Sequence, residues 1–178
     1  LSVVQCMQEN LAERLTEIMK KYHVAPAQIN LEITETAAAH SDMLENNIKI
    51  LHKQGIEFSL DDYGSGYSNT DYLFRFPFRI VKIDKTILWE AFKNEKAMIA
   101  LRNTIRMIKE LGLEIVVEGV ENQEYVDYLT EQHCDYLQGY FYSKPIPDRD
   151  FLELLRRENA QYYAERFSKN ELSDIITT

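Results

Sequence analysis

The sequence predicts an α/β fold built from parallel βαβ units, and three observations carry that prediction. Stretches with strand-like alternation take turns with stretches whose apolar residues recur at helical spacing. The connections between them are short, as in parallel strands joined by crossover helices. Charged residues stand at the ends of several predicted strands, where an apolar pattern would otherwise continue. These observations leave two architectures open, a doubly wound open sheet and a closed barrel. No G-x-G-x-x-G follows an early strand and no G-K-[ST] follows a glycine turn, so the two common nucleotide-fold signatures are missing.

The elements follow in order. Leu11, Leu15, Ile18, Met19 and Tyr22 form the stripe of a first helix between Asn10 and Tyr22. Ile29 to Thr34 alternates as a strand. Leu44, Ile48 and Leu51 mark a second helix, which Gly55 ends. Ile56 to Leu60 is a strand, followed by a glycine-containing turn, Asp62-Tyr63-Gly64-Ser65-Gly66. A short helical stretch spans Thr70 to Phe74, and Phe78 to Ile83 is the next strand. Met98, Leu101, Ile105 and Ile108 line a long helix that stops at Gly112. Leu113 to Val117 is a buried strand, Glu124 to Leu129 a helix, and Cys134 to Leu137 a short strand. A last helix begins near Asp150 to Leu155 and extends towards Phe167. Ser168 to Thr178 is a polar tail.

Composition narrows the function. Apolar residues make up 45% of the chain and charged residues 28%, which excludes a disordered protein. The net charge of −9 argues against a protein that holds long nucleic acid through a basic surface. It leaves room for a small phosphate ligand, because a metal ion can carry the local positive charge. No apolar run is long enough to span a membrane. Cys6 and Cys134 lie far apart without C-x-x-C spacing and read as reduced core thiols of a cytoplasmic protein. The first residue is Leu1 rather than Met, so the expectation is a piece of a longer polypeptide, whose remainder could carry a membrane anchor.

The chemistry is at the strand ends. Leu31 and Ile33 flank Glu32, Leu60 precedes Asp61, Val81 and Ile83 flank Lys82, and Val117 precedes Glu118. Strand side chains alternate faces, so apolar neighbours packed against helices leave these charges pointing towards a barrel axis. An unpaired charge there costs several kcal/mol. In a parallel barrel the carboxyl ends of all strands share one rim. Glu32, Asp61, Asp62 and Glu118 would then converge around Lys82, and a divalent cation relieves their repulsion. An all-oxygen donor set favours Mg²⁺ or Mn²⁺ over zinc, and His23, His40, His52 and His133 show no ligand spacing. Singly, each residue has a plainer reading. A strand-end acid often caps a helix, Asp61-Asp62 before a glycine is a common turn, and Lys82 can snorkel or pair with one acid. The constellation is specific; its members are not.

The motifs resemble a known family. Glu32-Ile33-Thr34-Glu35 is similar to an E-x-T-E strand, and Asp61-Asp62-Tyr63-Gly64-Ser65-Gly66-Tyr67-Ser68 to a D-D-F-G-T-G-Y-S turn. Val81-Lys82-Ile83-Asp84 resembles I-K-I-D. Val117-Glu118-Gly119-Val120-Glu121 resembles A-E-G-V-E, and Gln138-Gly139-Tyr140 through Pro145 resembles Q-G-Y-x-x-x-x-P. Five motifs in this order resemble the EAL domain, the phosphodiesterase family that cuts cyclic di-GMP.

That resemblance implies a TIM-type (β/α)8 barrel, incomplete here because its first two strands are missing, over residues 1–157, with a helical extension or tail over 158–178. It implies a two-metal Mg²⁺ or Mn²⁺ site with Glu32, Asp61 and Asp62 as ligands. Lys82 would hold the attacking water or a phosphate oxygen, and Glu118 would support a metal or the water. Glu35 would hold the glycine turn from beneath. Gln138 would contact the ligand or its water shell, while Asp84 and Glu121 would touch substrate or support the ligands. Tyr63, Gly64, Ser65 and Gly66 would form a gating loop. The reaction implied is hydrolysis of cyclic di-GMP to linear pGpG by a homodimer with upstream sensory or GGDEF-type domains. The E-A-L glutamate and a second-strand asparagine, both family metal ligands, would precede Leu1. This segment alone is therefore expected to be inactive or nearly so. The alternative is a degenerate EAL domain serving as a cyclic di-GMP receptor or dimerisation module.

Overall fold

The computed structural model describes residues 1, 5, 8, 10–38, 42–66 and 70–166, without the side chains of 42, 43 and 160–166. Cys6, His40, the Tyr67-Ser68 end of the glycine turn and the tail from 168 lie outside the described residues. The chain divides into two compact units, Leu1–Tyr142 and Ser143–Thr178.

In the first unit, helix α1 (Leu11–Tyr22) and a 3₁₀ turn (Pro26–Gln28) lead into strand β1 (Asn30–Thr34). Then follow α2 (Glu35–Ala38), α3 (Asp42–Lys53), β2 (Glu57–Tyr63), α4 (Asp71–Arg75), β3 (Phe78–Ile83), α5 (Lys85–Ala91), α6 (Glu95–Glu110), β4 (Glu114–Val117), α7 (Gln123–Glu131) and β5 (Tyr136–Leu137). Among the described residues the five strands form one sheet in the order β1-β2-β3-β4-β5, every pairing parallel. An arc of parallel strands in sequence order, each followed by helix, is the arrangement of a TIM-type (β/α)8 barrel that is incomplete.

The core follows from the predicted apolar faces. Ile33, Phe58, Leu60, Val81, Ile83, Ile115 and Val117 from the strands are buried with Leu44, Ile48 and Leu51 of α3 and Leu101, Ile105 and Ile108 of α6. Asparagine side chains cap two of the helices. Asn94 accepts from the Lys96 N–H at the start of α6, and Asn122 from the Tyr125 N–H at the start of α7. At the amino ends of the strands Arg79 bridges Glu57 at 2.5 Å and Glu114 at 3.2 Å, tying β2, β3 and β4 together.

Several elements differ from the sequence reading. β2 continues three residues beyond Leu60, through both aspartates to Tyr63. The expected strand from Cys134 shrinks to Tyr136–Leu137, because Cys134 closes the turn after α7 by donating its N–H to the Leu129 carbonyl. Helices α2 and α5 had no sequence-level prediction. In the second unit, α8 (Asp148–Arg166) runs unbroken through residue 157.

Candidate metal and active site

The carboxyl ends of the strands deliver the charges. Glu32 comes from β1, Asp61 and Asp62 from β2, Lys82 from β3, and Glu118 from the residue after β4. The Lys82 ammonium lies 2.8 Å from Asp61, 2.9 Å from Glu118 and 3.0 Å from Glu32. Its side chain is 10% exposed, against 20% for Asp61, 18% for Glu118 and 50% for Glu32. Burial opposes the ammonium's charge, but the hydrogen bonds it donates to Asp61, Glu118 and Glu32 outweigh it and raise the Lys82 pKa above the ordinary lysine value. Lys82 is therefore a cation throughout the neutral range.

Asp61 and Asp62 are consecutive, and in a regular strand they would face opposite sides. A β-bulge changes this. Leu60 pairs with Val81 and Tyr63 with Ile83, so β2 carries one residue more than β3 across the interval. Asp62 takes the left-handed conformation there, with φ 57°. Carboxylate oxygens of Asp61, Asp62 and Glu118 consequently lie within 4.8 Å of one another. Burial raises the Asp62 pKa, and the charges of Asp61 and then Asp84 push the same way against Lys82. Four carboxylates around one ammonium leave an excess of negative charge. Three of them present converging oxygens, a donor set that fits a hard divalent cation.

The remaining predicted residues fall in three places. Glu35 is buried at the start of α2. One of its oxygens accepts from the Gly64 N–H at 3.0 Å and the other from the buried Tyr72 hydroxyl, so it joins the glycine turn to α4. Tyr63 is a buried strand residue, Gly64 has φ 88°, and Ser65 and Gly66 are exposed. Asp84 caps α5, accepting from the Thr86 N–H at 2.9 Å and from its hydroxyl. Gln138 and Glu121 line a cleft of about 210 Å³ with Glu118 and Gly119.

That cleft also holds two residues that sequence reasoning missed, Lys85 and Trp89 of α5. Both sit on a helix whose apolar pattern is too short to register as periodic. The only available signal was the single tryptophan of the chain, four residues after a lysine. The backbone around the cleft is close-packed. A Cβ on Gly139 would stand 2.0 Å from the Val120 carbonyl oxygen, so only glycine fits there.

Known proteins give the context. The sequence model of the EAL domain matches residues 1–145. The cyclic di-GMP phosphodiesterase RocR of Pseudomonas aeruginosa is 34% identical over 145 residues, 80% of this chain and 37% of RocR. The chain thus spans little more than a third of that relative. The solved complex of the PaMucR phosphodiesterase with c-di-GMP superposes with a TM-score of 0.80 at 29% identity, over 85% of this chain and 62% of that one. The manganese and cyclic di-GMP complex of Klebsiella pneumoniae BlrP1 superposes with a TM-score of 0.72 at 25% identity, over 79% of this chain and 36% of BlrP1. Sequence model, relative and fold agree, and the chain belongs to the EAL domain family.

Proposed function

We propose that the protein containing this domain is a phosphodiesterase that hydrolyses cyclic di-GMP to linear pGpG with Mg²⁺ or Mn²⁺. The observation that carries this reading is the convergence of Asp61, Asp62 and Glu118 around a lysine that is itself bonded to three carboxylates. The cations would supply positive charge that offsets the phosphodiester anion and the charge on its reacting oxygens.

In this reading Asp61, Asp62 and Glu32 would hold the cations, and the bulge at Asp62 brings the two aspartates to one site. Lys82 stays protonated, so it orients the attacking water or a phosphate oxygen by donating hydrogen bonds and does not act as a base. Glu118, whose carboxylate converges with those of Asp61 and Asp62, would support a cation or the water. The product pGpG keeps its phosphate on the 5′ side, so the bond that forms joins water oxygen to phosphorus. The bond that breaks is P–O3′, and a proton ends on the O3′ hydroxyl. Gln138 and Glu121 face the ligand, and Asp84 keeps α5 in place. Glu35 would steady the gating turn through Tyr63, Gly64, Ser65 and Gly66 by its hydrogen bond to the Gly64 N–H.

The described sheet holds five of the eight strands that a closed barrel needs, so we assign residues 1–178 alone little or no turnover and a longer polypeptide the activity. That polypeptide is proposed to be a cytoplasmic or membrane-anchored homodimer with upstream sensory or GGDEF-type domains, the barrel ending near residue 157. Among the described residues no helix is long and apolar enough to cross a membrane.

The test is incubation of the full-length protein with cyclic di-GMP and Mg²⁺, with linear product followed by chromatography. Product is expected, and Asp61→Asn should lower the rate at least about 100-fold. Tight binding of cyclic di-GMP without any linear product would overturn the enzyme reading in favour of a receptor.

A further inference from the structure

Trp89 lies one turn into α5, and its indole N–H donates to the Gly119 carbonyl at 2.9 Å. Gly119 directly follows Glu118, has φ 73°, and is packed so closely that an added Cβ would stand 2.3 Å from Lys85 Cβ and 3.1 Å from Trp89 Nε1. Three successive residues are thus gripped by three different elements. The Glu118 N–H donates to the Ile83 carbonyl at 3.0 Å, the Gly119 carbonyl accepts from Trp89, and the Val120 N–H donates to the Gln138 carbonyl at 3.1 Å. The peptide plane entering Glu118 is anchored through its N–H, and the Gly119–Val120 plane is anchored at both edges by Trp89 and Gln138, so the Glu118–Gly119 link between them, from which the carboxylate reaches Lys82, has little freedom. The indole also forms a wall of the cleft that Glu118 and Gln138 line.

We propose that Trp89 is a positioning residue: through the Gly119 carbonyl it fixes the direction of the Glu118 carboxylate, and the hydrogen-bonded indole is part of the wall against which the ligand sits. This rests on the phosphodiesterase reading of the site. The geometry separates it from a merely structural role, because the hydrogen bond is made to the residue adjoining the functional carboxylate.

The experiment uses the full-length protein with cyclic di-GMP and Mg²⁺. Trp89→Phe keeps an aromatic ring and removes the donor. It should lower kcat about tenfold, the factor that one hydrogen bond's free energy corresponds to, while KM stays within about twofold. In a Glu118→Gln background the same substitution should change the residual rate by less than about twofold, because the positioned group is already gone. Equal losses in both backgrounds would overturn the proposal, as would an unchanged kcat in Trp89→Phe.

A second measurement needs no turnover and no folded Trp89 variant. The indole N–H resonance of Trp89, assigned through its proximity to Gly119, should exchange slowly with solvent. It should shift on Glu118→Gln and on addition of cyclic di-GMP. A resonance that exchanges freely and ignores both would refute the assignment. Absence of linear product from the wild type would instead count against the enzyme reading, and the resonance would still judge the role of Trp89.

Discussion

Replacing Lys82 by methionine keeps the length and apolar stem of the side chain and removes one charge from the centre of the site. The ammonium contacts Asp61, Glu118 and Glu32 at 2.8, 2.9 and 3.0 Å. Glu32 is half exposed, so its share is small. Asp61 and Glu118 are about four-fifths buried and would be left as neighbouring anions. Removing one partner of a buried pair costs about 3–5 kcal/mol, and the residual water contact here puts the loss near 3 kcal/mol. With a urea dependence of about 2 kcal/mol per molar, the midpoint should fall by about 1.5 M at pH 7. The wild-type contribution of Lys82 has an alkaline limit. Its raised pKa means that the stabilisation is complete below the unfolded value of 10.5 and is lost only as pH rises through the folded value. Urea titration followed by circular dichroism at pH 7 and about pH 11.5 reads both effects, the loss being smaller at the higher pH. A Lys82→Met midpoint equal to wild type at pH 7, or an equal loss at both pH values, would refute the reasoning.

Three further outcomes are expected. Asp62→Asn removes a carboxylate whose pKa is raised chiefly by burial, and asparagine tolerates φ 57° well. Without metal it should stabilise the fold by about 1 kcal/mol at pH 7; in the wild type, this group makes stability fall as pH rises from 3.8 through its folded pKa. Glu35→Ala takes the acceptor from the Gly64 N–H and the Tyr72 hydroxyl and should cost about 2–3 kcal/mol, with Glu35→Gln losing less; thermal melts decide this. Gly139→Ala forces a Cβ onto the Val120 backbone and should cost about 2–3 kcal/mol, whereas Gly66→Ala, with nothing within 4 Å, should stay within about 1 kcal/mol in the same melts.

How far the sequence could be read varied with the kind of feature. β1 and β3 were legible because charged residues alternate with Leu31, Ile33, Val81 and Ile83, leaving the apolar face unmistakable. α6 was legible from its Leu101-Ile105-Ile108 face and the Gly112 stop. The bulge at Asp62 was not, because a left-handed aspartate inside a strand has no periodic signature and Asp-Asp-Tyr-Gly reads as a turn. The short helices α2 and α5 span too few residues to show a stripe, so the approach of Trp89 to Gly119 was invisible. The convergence of carboxylates was inferable from strand ends. Their placement around Lys82 was inferable in the same way, but which three of the four carboxylates bond the ammonium is a tertiary fact, since no spacing along the chain records it.

Each polar group at this rim enters from its own strand-and-helix segment, five segments for Glu32, the aspartate pair, Lys82, Glu118 and Gln138. No two adjoining segments hold enough of them to be useful. On the phosphodiesterase reading, no part of the chemistry would exist until the last segment docks. Loosening any one segment would then silence the whole assembly at once, and turnover by the longer protein would report whether every strand is seated.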